Sequence, residues 1–154
     1  MWPTANSPYT LNSKQEQMNT KELMDRFLEE EGFKYEFEED TYFFKFQGIK
    51  LHCILQENHE TLLYIAASYD TEHLPRYVIL DLCNELNQTS ILKHFLMEED
   101  TAVVAYEAFI DHPNLPNEEL MEILEVLSHG ASRYCDRMNE LTSYLSHPAG
   151  KTVN

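Results

Sequence analysis

The chain has 154 residues, which suits a single domain large enough to bury a hydrophobic core. Its 27 acidic residues outnumber 11 lysines and arginines, so the net charge is −16. Such a field repels phosphate backbones and anionic lipid headgroups. Nucleic acid and membranes are therefore poor partners, whereas solubility and basic partners are favoured.

A polar stretch opens the chain. Residues 1–18 show no hydrophobic period and are predicted to be an N-terminal tail. A single domain is predicted over 19–146, and residues 147–154 are predicted to be a C-terminal tail. The first helix is expected to begin at Asn19, which has the spacing of a capping box with Glu22.

A strand meander is predicted after Gly32, which is expected to end the first helix in the left-handed conformation. Three segments rich in aromatic and β-branched residues are bounded by turn residues at hairpin distances. They are TYFFKFQ (41–47), KLHCILQ (50–56) and TLLYIAASY (61–69). The short alternating segment FKYEF (33–37) is interpreted as an additional lead-in strand.

Helix 2 is predicted to begin near Pro75, because proline is tolerated in a first turn. Its apolar period stops after Leu86, so Asn87 is predicted to end the helix with a positive φ. Asn84 is expected to hydrogen-bond the backbone where the chain turns toward the next strand. That strand belongs to a hairpin formed by ILKHFLM (91–97) and AVVAYEAFI (102–110).

Helix 3 is predicted to run from Asn117, as its N-cap, to about Leu145. Its apolar residues recur at alternating spacings of four and three, and the positions beside them are mostly uncharged. Such a wide stripe is typical of a helix laid on a sheet in the same chain rather than of an exposed coiled coil. The stripe comprises Leu120, Leu124, Leu127, Ala131, Tyr134, Met138, Leu141 and Leu145.

The order of these elements is α-β-β-β-α-β-β-α. It predicts the α+β class, with helices packed on an antiparallel sheet. The four glycines are too far apart to form a phosphate-binding loop, and no hydrolase or metalloprotease motif is present. We therefore expect no catalytic residue, cofactor or metal, and no enzyme activity.

The three cysteines form no CxxC pair, and the seven histidines are scattered singly along the chain. This usage is typical of free thiols in a reducing cytoplasm, where buried cysteines pack as small apolar side chains. The N-terminal sequence lacks the apolar run of a signal peptide. A cytoplasmic location is therefore predicted.

Apolar residues exceed what one buried face requires. Phe43 points away from the other aromatic residues of its strand, and Tyr77 and Leu80 share with Asn84 a second face of helix 2. Exposed apolar residues that cluster in this way mark contacts with other chains. We therefore predict an interface that includes Tyr77, Leu80, Asn84 and Phe43, and a homodimer or another stable protein complex.

Two stretches carry a family resemblance. The end of helix 2, "CNELN", and the unit "TYFFKFQGIKLHCILQENHETLLYIAASY" resemble the YbjN-like family over about residues 20–145. That family is similar in fold to the type III secretion chaperones. The resemblance implies a small regulatory or chaperone-like protein without a catalytic motif. The secretion chaperones are commonly dimers that hold an extended segment of a client protein.

Three functions remain open at this stage. The leading hypothesis is a non-enzymatic protein-binding module with a chaperone-like or regulatory role and an unidentified protein partner. The alternative is a small-molecule sensor with a pocket between helix 3 and the sheet. An enzyme with a scattered site is the third. An enclosed apolar pocket would favour the sensor, whereas an open apolar groove would favour protein binding.

Overall fold

The computed structural model describes residues 18–71, 74–110 and 115–146. The two predicted tails, apart from Met18, lie outside the described residues. The elements in chain order are α1 (Thr20–Glu30), β1 (Tyr35–Glu38), β2 (Thr41–Phe46), β3 (Ile49–Ile54), β4 (Leu62–Asp70), α2 (Arg76–Asn87), β5 (Lys93–Leu96), β6 (Thr101–Phe109) and α3 (Asn117–Ser146).

The strands form one six-stranded sheet in the order β1-β2-β3-β4-β6-β5, and every neighbouring pair is antiparallel. The predicted α+β class is confirmed. The lead-in segment is a full sheet strand, since β1 pairs with β2 from Tyr35 opposite Phe44 to Glu38 opposite Thr41. The chain leaves β4, forms α2, and returns through β5 to place β6 beside β4.

Local sequence signals account for the first helix and the hairpins. Asn19 caps α1, because its side-chain oxygen accepts a hydrogen bond from the Glu22 N–H at 2.8 Å. Glu39 and Asp40 between β1 and β2 both have positive φ, at 51° and 57°. Two residues with positive φ make a turn whose twist matches that of paired strands. The β1–β2 and β2–β3 hairpins therefore close through two-residue turns, whereas residues 55–61 join β3 to β4 in a longer connection.

The helices cover one face of the sheet. Their buried residues join the inward residues of the strands in one core, which includes Phe27 of α1, Leu82 of α2 and Leu127 of α3. A second, smaller cluster on the opposite face contains Ala66, Val103 and Ala105 and, within the described ranges, no helix residue. That face has therefore no helix over it among the described residues.

The apolar stripe of α3 packs against the core from Leu120 to Leu141, with burial decreasing toward the end of the helix. Leu120, Leu124, Leu127, Ala131 and Tyr134 are buried, Met138 and Leu141 are half-buried, and Leu145 is exposed. The predicted packing of the central residues within the same chain is confirmed. Near Gly130, a Cβ atom would lie 2.2 Å from Leu92, so this glycine allows the chain before β5 to approach the helix.

Asn117 does not act as the predicted cap. It is the first helical residue, and the N–H groups of Glu119 and Leu120 donate to the Pro116 carbonyl instead. The Asn117 side chain donates to Glu30 at 3.0 Å and to Glu31 at 3.2 Å, which ties the start of α3 to the end of α1. The Asn117 side chain therefore makes tertiary hydrogen bonds instead of capping the helix.

The prediction for the end of α2 is half correct. Asn87 is the last helical residue, but its φ is not positive, and Gln88 continues with a φ of −74°. The Asn87 side chain bonds the next strand instead, since its amide donates to the His94 carbonyl at 2.9 Å and accepts from the His94 N–H at 2.7 Å. Asn84 is exposed and its side chain makes no hydrogen bond among the described residues, so the predicted bond from that side chain to the backbone is wrong.

Candidate functional site

A groove lies between α3 and the second half of β6. Its volume is about 470 Å³, which is within the range of ligand-binding clefts. Its lining residues come from both sides: Leu63, Tyr106, Ala108, Phe109 and Ile110 from the sheet, Ile91 from the chain before β5, and Leu115, Glu119, Glu122, Ile123 and Val126 from α3 and its lead-in. We call this the α3–β6 groove.

The groove is open to solvent on its outer side. Ile91 is 79% exposed, Phe109 is 62% exposed and Val126 is 38% exposed. Apolar side chains as large as these are uncommon together on a free surface unless something covers them. The alternating exposure along β6 also leaves Ala108, a small residue, in the floor, where a larger side chain would fill the groove.

The backbone of β6 is also unpaired beside the groove. The strand runs from Thr101 to Phe109, but β5 pairs with it only as far as Ala105. The Ile110 N–H donates to Thr61 on the β4 side, and backbone groups of successive strand residues point to opposite edges. The N–H and C=O groups of Glu107 and Phe109 therefore face an edge where no described strand lies.

The edge of the neighbouring strand β5 is treated differently. His94 directs its backbone groups outward from the sheet, and the Asn87 side chain bonds both of them. The same Asn87 oxygen lies 2.9 Å from the His94 ring nitrogen Nδ1. The Asn87 side chain thus satisfies the outward backbone groups of β5 at His94, as a neighbouring strand would. Another strand therefore cannot pair with β5 at this position. The open part of β6 contrasts with this closed edge.

Charge around the groove is mainly negative. Glu119 and Glu122 line it on the α3 side, and both are exposed. Glu107 on β6 is not part of the lining and is ion-paired with Lys93, so Glu119 and Glu122 are the charged residues that line the groove. A segment with lysine or arginine beside its apolar residues would therefore fit the groove better than an acidic one.

The four residues predicted as an interface occupy two separate surfaces. Tyr77, Leu80 and Asn84 are all exposed on α2, with Tyr77 at 68% and Leu80 at 42%. Phe43 is 46% exposed and lies on the sheet face that no described helix covers. The sequence predicts, as an alternative, a sensor pocket between helix 3 and the sheet, where the α3–β6 groove lies, but it indicates no lining residues for that pocket. The available signal was the unequal length of the two hairpin segments, which leaves β6 unpaired beyond Ala105.

Two of the cysteines and two histidines are in low-polarity surroundings. Burial raises the pKa of the Cys53 thiol to about 12 and also raises the pKa of Cys83. Burial lowers the pKa of His52 and of His94, and the positive charge of Arg133 lowers that of His94 further. In the described ranges no three His, Cys, Asp or Glu side chains are arranged to hold a metal ion. The two buried thiols are protonated at neutral pH and pack as small apolar side chains.

Comparisons with solved structures identify the fold. An uncharacterized protein from Methanothermobacter thermautotrophicus matches with a TM-score of 0.62 at 15% identity, over 79% of this chain and 98% of that one. YbjN from E. coli matches with a TM-score of 0.54 at 14% identity, over 80% and 90%. The HopA1-SchA chaperone-effector complex matches with a TM-score of 0.51 at 10% identity, over 89% and 98%.

The predicted likeness to a secretion-chaperone fold is thereby confirmed. A comparison with curated proteins finds no significant match. Among the described helices, none is both long and apolar enough to cross a membrane. The family model YbjN, described as "Putative bacterial sensory transduction regulator", matches residues 20–140. The chain therefore belongs to the YbjN family.

Proposed function

We propose that this protein is a non-enzymatic binding module that holds an extended segment of another protein in the α3–β6 groove. The observation that carries the proposal is the unpaired backbone of Glu107 and Phe109 beside an apolar, open groove. Strand addition at such an edge supplies main-chain hydrogen bonds, and the groove beside it accepts alternate side chains. The fold likeness to a chaperone-effector complex supports the same kind of function.

The shape of the groove favours a protein segment over a small molecule. A sensor pocket between helix 3 and the sheet was the alternative, and the groove lies at that place. However, Ile91, Phe109 and Val126 leave its outer side exposed. An open groove could also take a small molecule, but this groove lies beside the unpaired edge of β6, whose main-chain groups can bond an extended chain.

The partner segment should combine apolar and basic residues. Its apolar side chains would cover Ile123 and Val126, and its lysines or arginines would lie near Glu119 and Glu122. The net charge of −16 attracts such a segment from a distance and accelerates its encounter. We place the protein in the cytoplasm, where its buried free thiols Cys53 and Cys83 stay reduced.

A second copy of the chain is proposed to cover the outer face of α2. Tyr77 and Leu80 are large apolar side chains exposed on a helix whose opposite face is buried in the core. Such a surface suits a two-fold contact in which the same helix meets its copy. Phe43 lies on the other side of the sheet, so it does not belong to this contact.

A peptide library displayed on phage, selected against the purified protein, tests the groove. Enriched peptides should alternate apolar residues and carry lysine or arginine. A synthetic copy of an enriched peptide should then bind the wild type, and a Phe109→Pro variant should bind it at least about tenfold more weakly. Proline removes an outward N–H that β4 does not use, so the internal ladder is kept.

Phe109→Ala is the matched control, because it removes the side chain but keeps the N–H group. It should retain more of the peptide affinity than Phe109→Pro. An Ala108→Trp variant, which fills the floor of the groove, should abolish binding. Equal affinity of wild type, Phe109→Pro and Ala108→Trp for the peptide would disprove binding at this groove.

A further inference from the structure

A second groove lies on the uncovered sheet face, near the start of β1. Its volume is about 590 Å³, and its lining comprises Lys34, Tyr35, Glu36, Phe43, Phe44, Lys45, Lys50 and Leu51. We call it the lysine groove. It is separate from the α3–β6 groove, with which it shares no lining residue.

The cations of this groove are unusual within the molecule. The six other lysines and arginines of the described chain all have partners. These are Lys21 with Asp25, Arg26 with Glu30, Arg76 with Asp100, Lys93 with Glu107, Arg137 with Glu85 and Glu140, and Arg133 with Thr89. Lys34, Lys45 and Lys50 have no ion-pair or hydrogen-bond partner among the described residues. In a chain of net charge −16, three cations without a carboxylate partner line one groove.

Two of these lysines lie where their charges destabilise the folded sheet. Lys45 and Lys50 are directly opposite each other in the antiparallel register of β2 and β3. Like charges at directly opposite positions repel and destabilise a sheet. An anion bound between them would remove this repulsion, because it would neutralise both ammonium groups at once.

Phe43 adds an aromatic surface to the same groove. Its side chain is 46% exposed. Phe43 lies on the same sheet face as Lys45 and Lys50, at the next cross-strand pair of that face. An exposed aromatic ring beside cations can stack a flat aromatic group while the cations hold an attached anionic group. Two residues lie opposite Phe43: His52 on β3, which is half-buried and carries no ion pair in the described ranges, and Glu36 on β1.

The surroundings of the groove limit the size of the ligand. Glu36 lines the groove, and Glu38, Glu39 and Asp40 follow on β1 and its turn. A long polyanion would pass from the three lysines onto these carboxylates, which would repel it. A compact anion would contact the lysines and avoid most of the carboxylates. The volume of the groove is within the range of small-molecule sites.

We propose that the lysine groove binds a compact anion that carries a flat aromatic group, the chemistry of a mononucleotide. Lys45 and Lys50 hold the anionic group, Lys34 adds attraction from the β1 side, and Phe43 stacks the ring. This site goes beyond the proposed binding of a protein segment, and each can be correct without the other.

Calorimetric titration at low salt with adenosine 5′-monophosphate, adenosine and inorganic phosphate tests the proposal. The nucleotide should bind saturably and more tightly than either of the other two probes. Adenosine binding as tightly as the nucleotide would overturn the role of the lysines. Phosphate binding as tightly as the nucleotide would overturn the role of Phe43. A single-stranded DNA 12-mer that binds more tightly than the nucleotide would overturn the inference that the ligand is compact.

Lys45→Glu is the decisive variant. It should lower the affinity for the nucleotide at least about tenfold, because it replaces attraction by repulsion. The same substitution places opposite charges across from each other, so the unliganded variant should unfold at the same or a higher temperature than the wild type. Loss of binding with retained stability separates a binding role from a structural one.

Lys93→Gln is the matched control, since Lys93 is exposed on the same sheet face but is paired with Glu107. It should bind the nucleotide as the wild type does. A Phe43→Ser variant should lose the preference for the nucleotide over phosphate. Equal loss of affinity in Lys93→Gln and Lys45→Glu, or no saturable binding by the wild type, would disprove the site.

Discussion

Asn84 and Asn87 are three residues apart on α2, yet only one of them has a structural role in the described chain. Asn87 bonds both backbone groups of the buried His94. Asn87→Ala should therefore lower the free energy of unfolding by about 2 kcal/mol, because a buried N–H and a carbonyl lose their partner. Asn84→Ala should change it by less than about 0.5 kcal/mol. Urea denaturation of the two variants measures the difference, and equal effects would contradict it.

His94 also makes the fold sensitive to pH. Its pKa is lowered in the folded protein by burial and by Arg133, so the unfolded chain binds the proton more readily. The stabilising effect is fully present above the ordinary value of 6.5 and is lost as pH falls below it toward the lowered folded pKa. His52, whose pKa is lowered by burial, acts in the same direction.

The free energy of unfolding should therefore fall between about pH 7 and pH 5.5, where most carboxylates are still ionised. Urea denaturation across this range measures the fall. The slope should be smaller in a variant that carries both His94→Gln and His52→Gln, since neither site then titrates. An identical slope in the variant and the wild type would show that these histidines do not cause it.

At the scale of elements, α3 is held to the core mainly by the buried first half of its stripe. Leu127 is fully buried, so Leu127→Ala should lower the free energy of unfolding by about 2–5 kcal/mol through the cavity it leaves. Val126 is the neighbouring residue and is 38% exposed, so Val126→Ala should cost less than about 1 kcal/mol. Denaturation curves that show similar losses for both would mean that the stripe is not core.

At the scale of the whole molecule, charge and apolar burial act against each other in self-association. Two copies of net charge −16 repel, but this repulsion is screened beyond about 8 Å at physiological salt. Apolar burial in an interface of about 800 Å² on each copy, centred on Tyr77 and Leu80, can outweigh the repulsion that remains. Dimerisation should therefore strengthen as salt rises from low values.

Sedimentation equilibrium over a salt series measures this association. Leu80→Glu should abolish the dimer at every salt concentration, because it places a carboxylate in the apolar contact. Phe43→Ser is the control, since Phe43 lies on the other side of the sheet and should leave the dimer intact. A wild type that stays monomeric at high micromolar concentration in every salt would refute the homodimer.

The sequence by itself determined the local structure of this protein. The Asn19 cap, the alternation of the meander and the stripe of α3 each depend on residues within a few positions of one another, where helix and strand periods operate. The hairpins follow from turn residues in the same way. These signals, together with the family resemblance, were sufficient for the α+β class.

Only the tertiary structure decided which distant segments meet. The insertion of β6 between β4 and β5 leaves the open edge of β6, Asn87 closes the edge of β5, and the register of β2 and β3 sets Lys45 opposite Lys50. Each of these depends on pairing between segments that no local period specifies. Asn117 was expected to cap α3, but its side chain bonds Glu30 and Glu31 instead. Asn87 ends α2 as predicted, but without the positive φ, and its side chain bonds His94 across the fold.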